Sequence, residues 1–244
     1  MNQCIDILLN HVSIRKYTDE AVNPEIKEAI ISCAQMAPTS SHFQAYTMIE
    51  VDDKQKREVL YKISGNQKWV RSAALVLLFC GDLHRCKEYF EGVDPHYYSN
   101  TEAYTIATVD TACAAQKAII AAQSFGLGGV FVGGIRNDVE LITKEFNLPD
   151  LVFPLFALCL GYPADNPVMK PRLPKGVIHK LNIYEEAHDK ELIDEYNRTV
   201  SNYYRTRTDG KENDTWTEHC GKLLMDKTRE DVGIHFRNIG LLKR

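Results

Sequence analysis

No apolar run in this chain approaches the roughly 20 residues that a membrane-spanning helix needs; the longest is Ala73-Ala-Leu-Val-Leu-Leu-Phe-Cys80. The start, Met1-Asn2-Gln3-Cys4-Ile5-Asp6, has neither a basic nor an apolar leader segment, so no secretory signal is expected and a cytoplasmic location is. Positive charge is not in excess: 29 Lys and Arg stand against 33 Asp and Glu, a net −4. That gives no footing for a nucleic-acid partner, which favours a surplus of cations. The seven cysteines are odd in number and scattered, which argues against a disulfide framework and for reduced thiols in mostly apolar surroundings. Cys80, His84 and Cys86 lack a fourth ligand at zinc spacing, so no metal is expected. A Ser-His-Asp signature, a paired-carboxylate motif, an internal repeat and a low-complexity linker are likewise missing.

What is present is an ordinary globular composition, 44% hydrophobic and 25% charged, long enough at 244 residues for one sizeable core. A short helical piece runs from Ile5 to Asn10. Asn23 and Pro24 supply an N-cap and a first-turn proline for a helix that places Ile26, Ile30, Cys33, Ala34 and Ala37 on one face, with Pro38 helping to stop it. A strand is expected over Tyr46 to Val51, a polar helix from Lys54, and a strand buried on both faces over Ala73 to Cys80. The segment 89–100 shows no regular period and is read as a mobile excursion. From about 101 to 125 the chain is alanine-rich and apolar on nearly every side, the pattern of a central helix. Strands at 130–132 and 152–160 flank a helix at 138–146 that begins with an Asn137/Glu140 capping-box pattern. Two helical regions, about 188–205 and 215–232, lie in a C-terminal helical region 188–244. The whole reads as a single α+β domain, 1–244.

Gly126-Leu-Gly-Gly129 invites a dinucleotide-fold reading, but the third glycine of G-x-G-x-x-G falls on Phe131, and the order is helix, glycines, strand. A helix C-cap and turn explain these glycines better. Gly133 and Gly134 follow a strand instead; they are either a simple turn or bare backbone against which a flat ligand lies. His11-x-Ser13-x-Arg15 is a short, unspecific motif. With Lys170 and Arg172, which flank a proline, it could hold a phosphate, although spacing alone does not bring 11–15 to 170–172. Thr39-Ser40-Ser41 is either a turn or a set of hydroxyls for a polyol or ring carbonyl, and Gln67 is equally open.

Taken in order, three segments resemble the nitroreductase and flavin-reductase family in its NADPH-dependent subgroup: His-Val-Ser-Ile-Arg-Lys-Tyr-Thr-Asp-Glu at 11–20, Gly-Leu-Gly-Gly-Val-Phe-Val-Gly-Gly-Ile-Arg-Asn at 126–137, and Leu-Cys-Leu-Gly-Tyr-Pro-Ala-Asp-Asn-Pro-Val-Met-Lys-Pro-Arg-Leu-Pro at 158–174. Asp214-Thr215-Trp216 adds a fourth match. The resemblance implies a central, mostly antiparallel sheet wrapped by helices, in an intertwined homodimer with FMN bound non-covalently at the interface. It implies that Arg15, Lys170 and Arg172, helped by His11 and Ser13, grip the FMN phosphate. Gln67 and Thr39-Ser40-Ser41 would reach the flavin or its ribityl chain, and Phe131, Val132, Gly133 and Gly134 would lie along the isoalloxazine. Arg207, assisted by Arg205 and Lys211, would serve NADPH, while Arg229 and Glu102 would line the outer pocket. The implied activity passes hydride from NADPH to FMN and two electrons to nitroaromatics, quinones or free flavin, with no obligatory catalytic side chain. A flavin-binding protein that supplies reduced FMN to a partner enzyme is the alternative, and a non-catalytic anion-binding scaffold a third reading. Two departures stand out: Phe131 where relatives carry tyrosine, and Pro38-Thr39 opening a loop that is more serine-rich elsewhere.

Overall fold

A computed structural model describes residues 2–226 and 228–243. The chain forms two compact units, one of residues 1–167 with 229–244 and one of residues 168–228.

The first unit is built on a four-stranded sheet in the order β1-β2-β4-β3, with β1 Tyr46–Glu50, β2 Leu75–Asp82, β3 Gly128–Val132 and β4 Val152–Gly161. Every neighbouring pair is antiparallel, so the α+β architecture expected from the sequence is the one observed. All eight residues of β2 are buried, because this central strand is covered on both faces. Pro154 sits inside the other central strand, which a ladder normally forbids because proline has no N–H. It is tolerated here opposite Cys80, where the β2–β4 register shifts.

Helices cover both faces of the sheet. On one, α2 Pro24–Gln35 and α6 Thr101–Ser124 join Leu75, Leu77, Phe79, Leu158 and Leu160 in one core cluster. Its alanines let α6 lie close to the sheet: Ala107, Ala114, Ala115, Ala118 and Ala122 are fully buried. The helix ends in a Schellman arrangement, with Leu127 N–H donating to Ala122 O and Gly126 N–H to Gln123 O. On the other face, α3 Lys54–Ile63, α4 Trp69–Ser72 and α7 Val139–Glu145 cover Val76, Leu78, Val130 and Cys159. The short α1 Gln3–Leu9 and α5 His84–Tyr89 complete the N-terminal part, and α11 Glu230–Asn238 returns Phe236 to a third cluster with Phe153.

One local expectation is corrected, and two regions gain detail. The N-cap of α7 is Asp138, whose side chain accepts the Leu141 N–H; Asn137 is occupied elsewhere. The helical region at 215–232 holds α10 Trp216–Asp226 and the start of α11, with Arg229 before α11 in the left-handed region at φ 44°. Segment 89–100 holds the end of α5 and a 3-10 turn, Pro95–Ser99, with Tyr98 buried and donating to Cys86 O.

The second unit is helical: α8 Lys175–Ile178, α9 Asp189–Arg207 and α10. No described helix is long and apolar enough to cross a membrane.

Candidate active site

The 11–18 segment runs beside β3 and the end of β4. Ile14 N–H donates to Gly129 O, Thr18 N–H to Tyr162 O and Ala164 N–H to Lys16 O. Glycine is required at 128 for this approach, since a Cβ there would stand 2.3 Å from Ile14 Cγ1. The Tyr17 hydroxyl donates to Ile14 O at 2.9 Å, or alternatively to Cys159 O at 3.1 Å, and burial pushes its pKa up. The segment is thus pinned from its backbone, leaving the intervening side chains for other use. His11 Nδ1 lies 3.0 Å from Gln123 Nε2. Ser13 bridges to Gly129. The exposed Arg15 donates to Ser13 O at 3.4 Å and holds its guanidinium carbon 5.5 Å from the Trp69 ring centre.

Trp69 leads to the next element. Two residues before it, Gln67 donates from Nε2 to Ser64 O at 2.8 Å. This corner meets the turn after β3: a Cβ on Gly134 would stand 2.8 Å from Ser64 O and 2.9 Å from Gln67 Nε2. The absence of a side chain at 134 is therefore explained by packing within the protein. Gly133 has the Arg136 guanidinium at its side. Burial, and secondarily the Arg229 charge, lower the Arg136 pKa, and Arg136 donates to Leu155 O. Asn137 donates to Ile63 O at 2.9 Å and accepts from Arg229 Nε at 3.0 Å.

Contacts within the first unit therefore pair Arg15 with Trp69, Gln67 with Gly134, and Arg229 with Asn137 of the turn that begins at Gly133, across distant parts of the sequence. Phe131 is 39% exposed and meets Phe156 edge-on at 5.2 Å, whereas the Val132 side chain is in the core, leaving only its backbone for a ligand. Thr39, Ser40 and Ser41 lie at a 3-10 turn, Ser40–His42, in which Ser41 has φ 44°. Glu102, in the first turn of α6, lines an apolar cavity of about 290 Å³ with Phe43, Phe90, Tyr97 and Tyr98.

In the second unit Lys170 and Arg172 are neighbours. Arg172 donates to Lys170 O at 2.9 Å, and Lys170 Nζ sits 5.8 Å from the Tyr204 ring centre. Both line a cavity of about 400 Å³ walled by Tyr196, Tyr203, Tyr204, Trp216 and His219. Arg207, at the end of α9, donates to the Tyr203 hydroxyl at 3.3 Å, and Arg205 donates to Asn202 Oδ1 at 3.0 Å. Lys211 lies in the exposed turn after α9.

The donors suit a phosphorylated, planar group. Arg15 is an exposed, fork-shaped cation beside an aromatic ring. Trp69 was not singled out from the sequence; its position two residues after Gln67 and the apolar Val70 next to it gave no chemical signal.

Comparison with known proteins gives this arrangement its class. Residues 8–162 match the model of the Nitroreductase family, and residues 170–244 match the Nitroreductase family, C-terminal domain. An FMN reductase (NADPH) of Bacillus subtilis is 38% identical, with both chains covered completely, and an oxygen-insensitive NADPH nitroreductase of Salmonella typhimurium is 40% identical over 94% of each. The solved structure of a nitroreductase from B. subtilis superposes with a TM-score of 0.96 at 36% identity, covering 99% of this chain and 100% of the other. The chain belongs to the nitroreductase family.

Proposed function

We propose that this protein is an FMN-dependent oxidoreductase using NADPH as hydride donor and nitroaromatics, quinones or free flavin as acceptors, and that it works as a homodimer in the cytoplasm. The reading rests on three contacts within the first unit, Arg15 with Trp69, Gln67 with the turn at Gly134 and Arg229 with Asn137 of that same turn, together with the names of the full-length relatives.

FMN, when bound, would supply the two-electron redox chemistry between NADPH and the acceptor. The chain's residues do the rest. Arg15, with His11 and Ser13, and Lys170 and Arg172 of the second unit are each assigned to the cofactor's phosphate, where guanidinium forks and an ammonium would offset its double charge. Packing against Trp69 limits the rotamers of Arg15 before any ligand arrives, which reduces the entropy lost on binding. Gln67, the hydroxyls of Thr39, Ser40 and Ser41, and the backbone of Val132, Gly133 and Gly134 are assigned to the ring system and its polyol. Phe131 offers an apolar face. Arg207, with Arg205 and Lys211, is assigned to NADPH, and Arg229 and Glu102 to the outer pocket. No side-chain acid or base is required.

The test is FMN retention by the Arg15→Ala/Arg172→Ala double variant. The folded variant should lose bound flavin and require excess FMN for turnover. Undiminished occupancy in that variant would remove the phosphate assignment.

A further inference from the structure

In α6, an alanine-rich helix, Asp110 is 1% exposed. A carboxylate in such a place is costly unless its oxygens are hydrogen-bonded. Both are: Oδ1 accepts the Ser40 N–H at 2.9 Å, and Oδ2 accepts the Ala45 N–H at 3.1 Å. One carboxylate thereby ties down the two ends of a single loop.

That loop does not hold its shape by ordinary backbone preference. Three of its residues have positive φ: Ser41 at 44°, His42 at 63° and Gln44 at 53°. None is glycine, and such conformations are disfavoured for residues with a side chain. Inside the loop, Phe43 N–H donates to Ser40 O at 2.8 Å. Its two flanks present different chemistry. Ser40 and Ser41 are exposed polar residues, while Phe43 faces an apolar cavity, 6.0 Å from the Phe90 ring centre. Fixing the ends therefore sets both a row of hydroxyls and one wall of an apolar cavity.

We infer that Asp110 is a positioning residue: its buried carboxylate holds the 40–45 loop so that the Ser40-Ser41 hydroxyls are presented to the flavin cofactor and Phe43 to the aromatic acceptor. The inference rests on the FMN reading above, and Asp110 acts through the loop without touching either ligand. Asparagine at 110 would keep the shape but turn an amide N–H toward one of the two backbone donors, so one end of the loop is released.

The experiment compares Asp110→Asn with Thr111→Val in the full-length protein. Thr111 is equally buried on α6, but its hydroxyl donates to Ala107 O at 2.6 Å, within the helix. FMN affinity is read by fluorescence titration, acceptor KM and kcat at saturating FMN with a quinone, and stability by urea unfolding of the apoprotein. Asp110→Asn should weaken FMN binding at least tenfold and raise acceptor KM more than it lowers kcat. Thr111→Val should lower stability while leaving FMN affinity within twofold. If Asp110→Asn is folded and binds FMN within twofold of wild type, or if Thr111→Val weakens FMN equally, the inference is overturned. Failure of the wild-type protein itself to bind FMN would sink the functional reading instead. Hydrogen exchange on the wild-type apoprotein keeps the test open should Asp110→Asn not fold: slow exchange at Ser40 and Ala45 is expected, and fast exchange at both overturns the inference.

Discussion

Gly134 shows how one missing side chain can organise a corner. A Cβ there would press on Ser64 O and the Gln67 amide, separating two groups now 2.8 Å apart. Gly134→Ala should destabilise the protein by about 1–3 kcal/mol, as overpacking does, and lower FMN affinity because Gln67 is displaced; urea unfolding and fluorescence titration measure the two effects. Arg15 gives a second expectation. Arg15→Ala should weaken FMN about 10- to 100-fold, since a hydrogen bond to a charged group contributes about 1.5–3 kcal/mol. Arg15→Lys should recover only part of this, because a point charge replaces a fork. Arg15 stands out as a candidate from a motif of three residues, but Trp69 beside it does not, because an aromatic residue in a short helix reads as core until its neighbours are known. Gly134 was legible as special for an incomplete reason: the sequence suggested ligand approach, while its own chain already occupies the space.

At the level of elements, capping residues separate what is readable from what is not. Asn23 and Pro24 open α2 as expected, with the Asn23 side chain accepting the Glu25 N–H at 2.7 Å. Asn137 followed by Glu140 looks like the same signal for α7, yet Asp138 caps it. Asn137 is drawn off by Ile63 O and Arg229, partners 74 and 92 residues away that no local window contains. Asp138→Ala should therefore cost about 1 kcal/mol in urea unfolding, the usual loss for an N-cap. Asn137→Ala should instead alter the outer pocket through Arg229, seen as a changed acceptor KM. The break at Arg229 was hidden for a related reason: α10 and α11 are both amphipathic, and the intervening residues contain neither glycine nor proline.

For the molecule as a whole, the buried strands were the most legible feature. Ala73 to Cys80 and Val152 to Leu160 are apolar throughout because helices cover both sheet faces. The cysteines followed this pattern only in part. Cys80, Cys86 and Cys159 are buried, but Cys4 and Cys33 are exposed, since a thiol's type does not reveal which face of a helix it occupies. Burial has a consequence at alkaline pH. It pushes the Cys159 thiol from an ordinary 9.0 up to about 12 and raises those of Cys80 and the Tyr17 phenol as well. These groups stay protonated in the folded protein while the unfolded chain releases protons from about pH 9 upward. Stability should thus be unaffected by them below pH 9 and fall as pH rises toward 12. Urea midpoints measured from pH 7 to 11 check this, and Cys159→Ala should flatten part of the decline.

The most direct measurement is the visible spectrum of the purified full-length protein, followed anaerobically through addition of NADPH and then of a nitroaromatic. Flavin absorbance after reconstitution with FMN, bleaching with NADPH and recovery on adding the nitro compound are expected. A folded protein that stays colourless in excess FMN, or whose bound flavin NADPH does not bleach, would contradict the proposed activity.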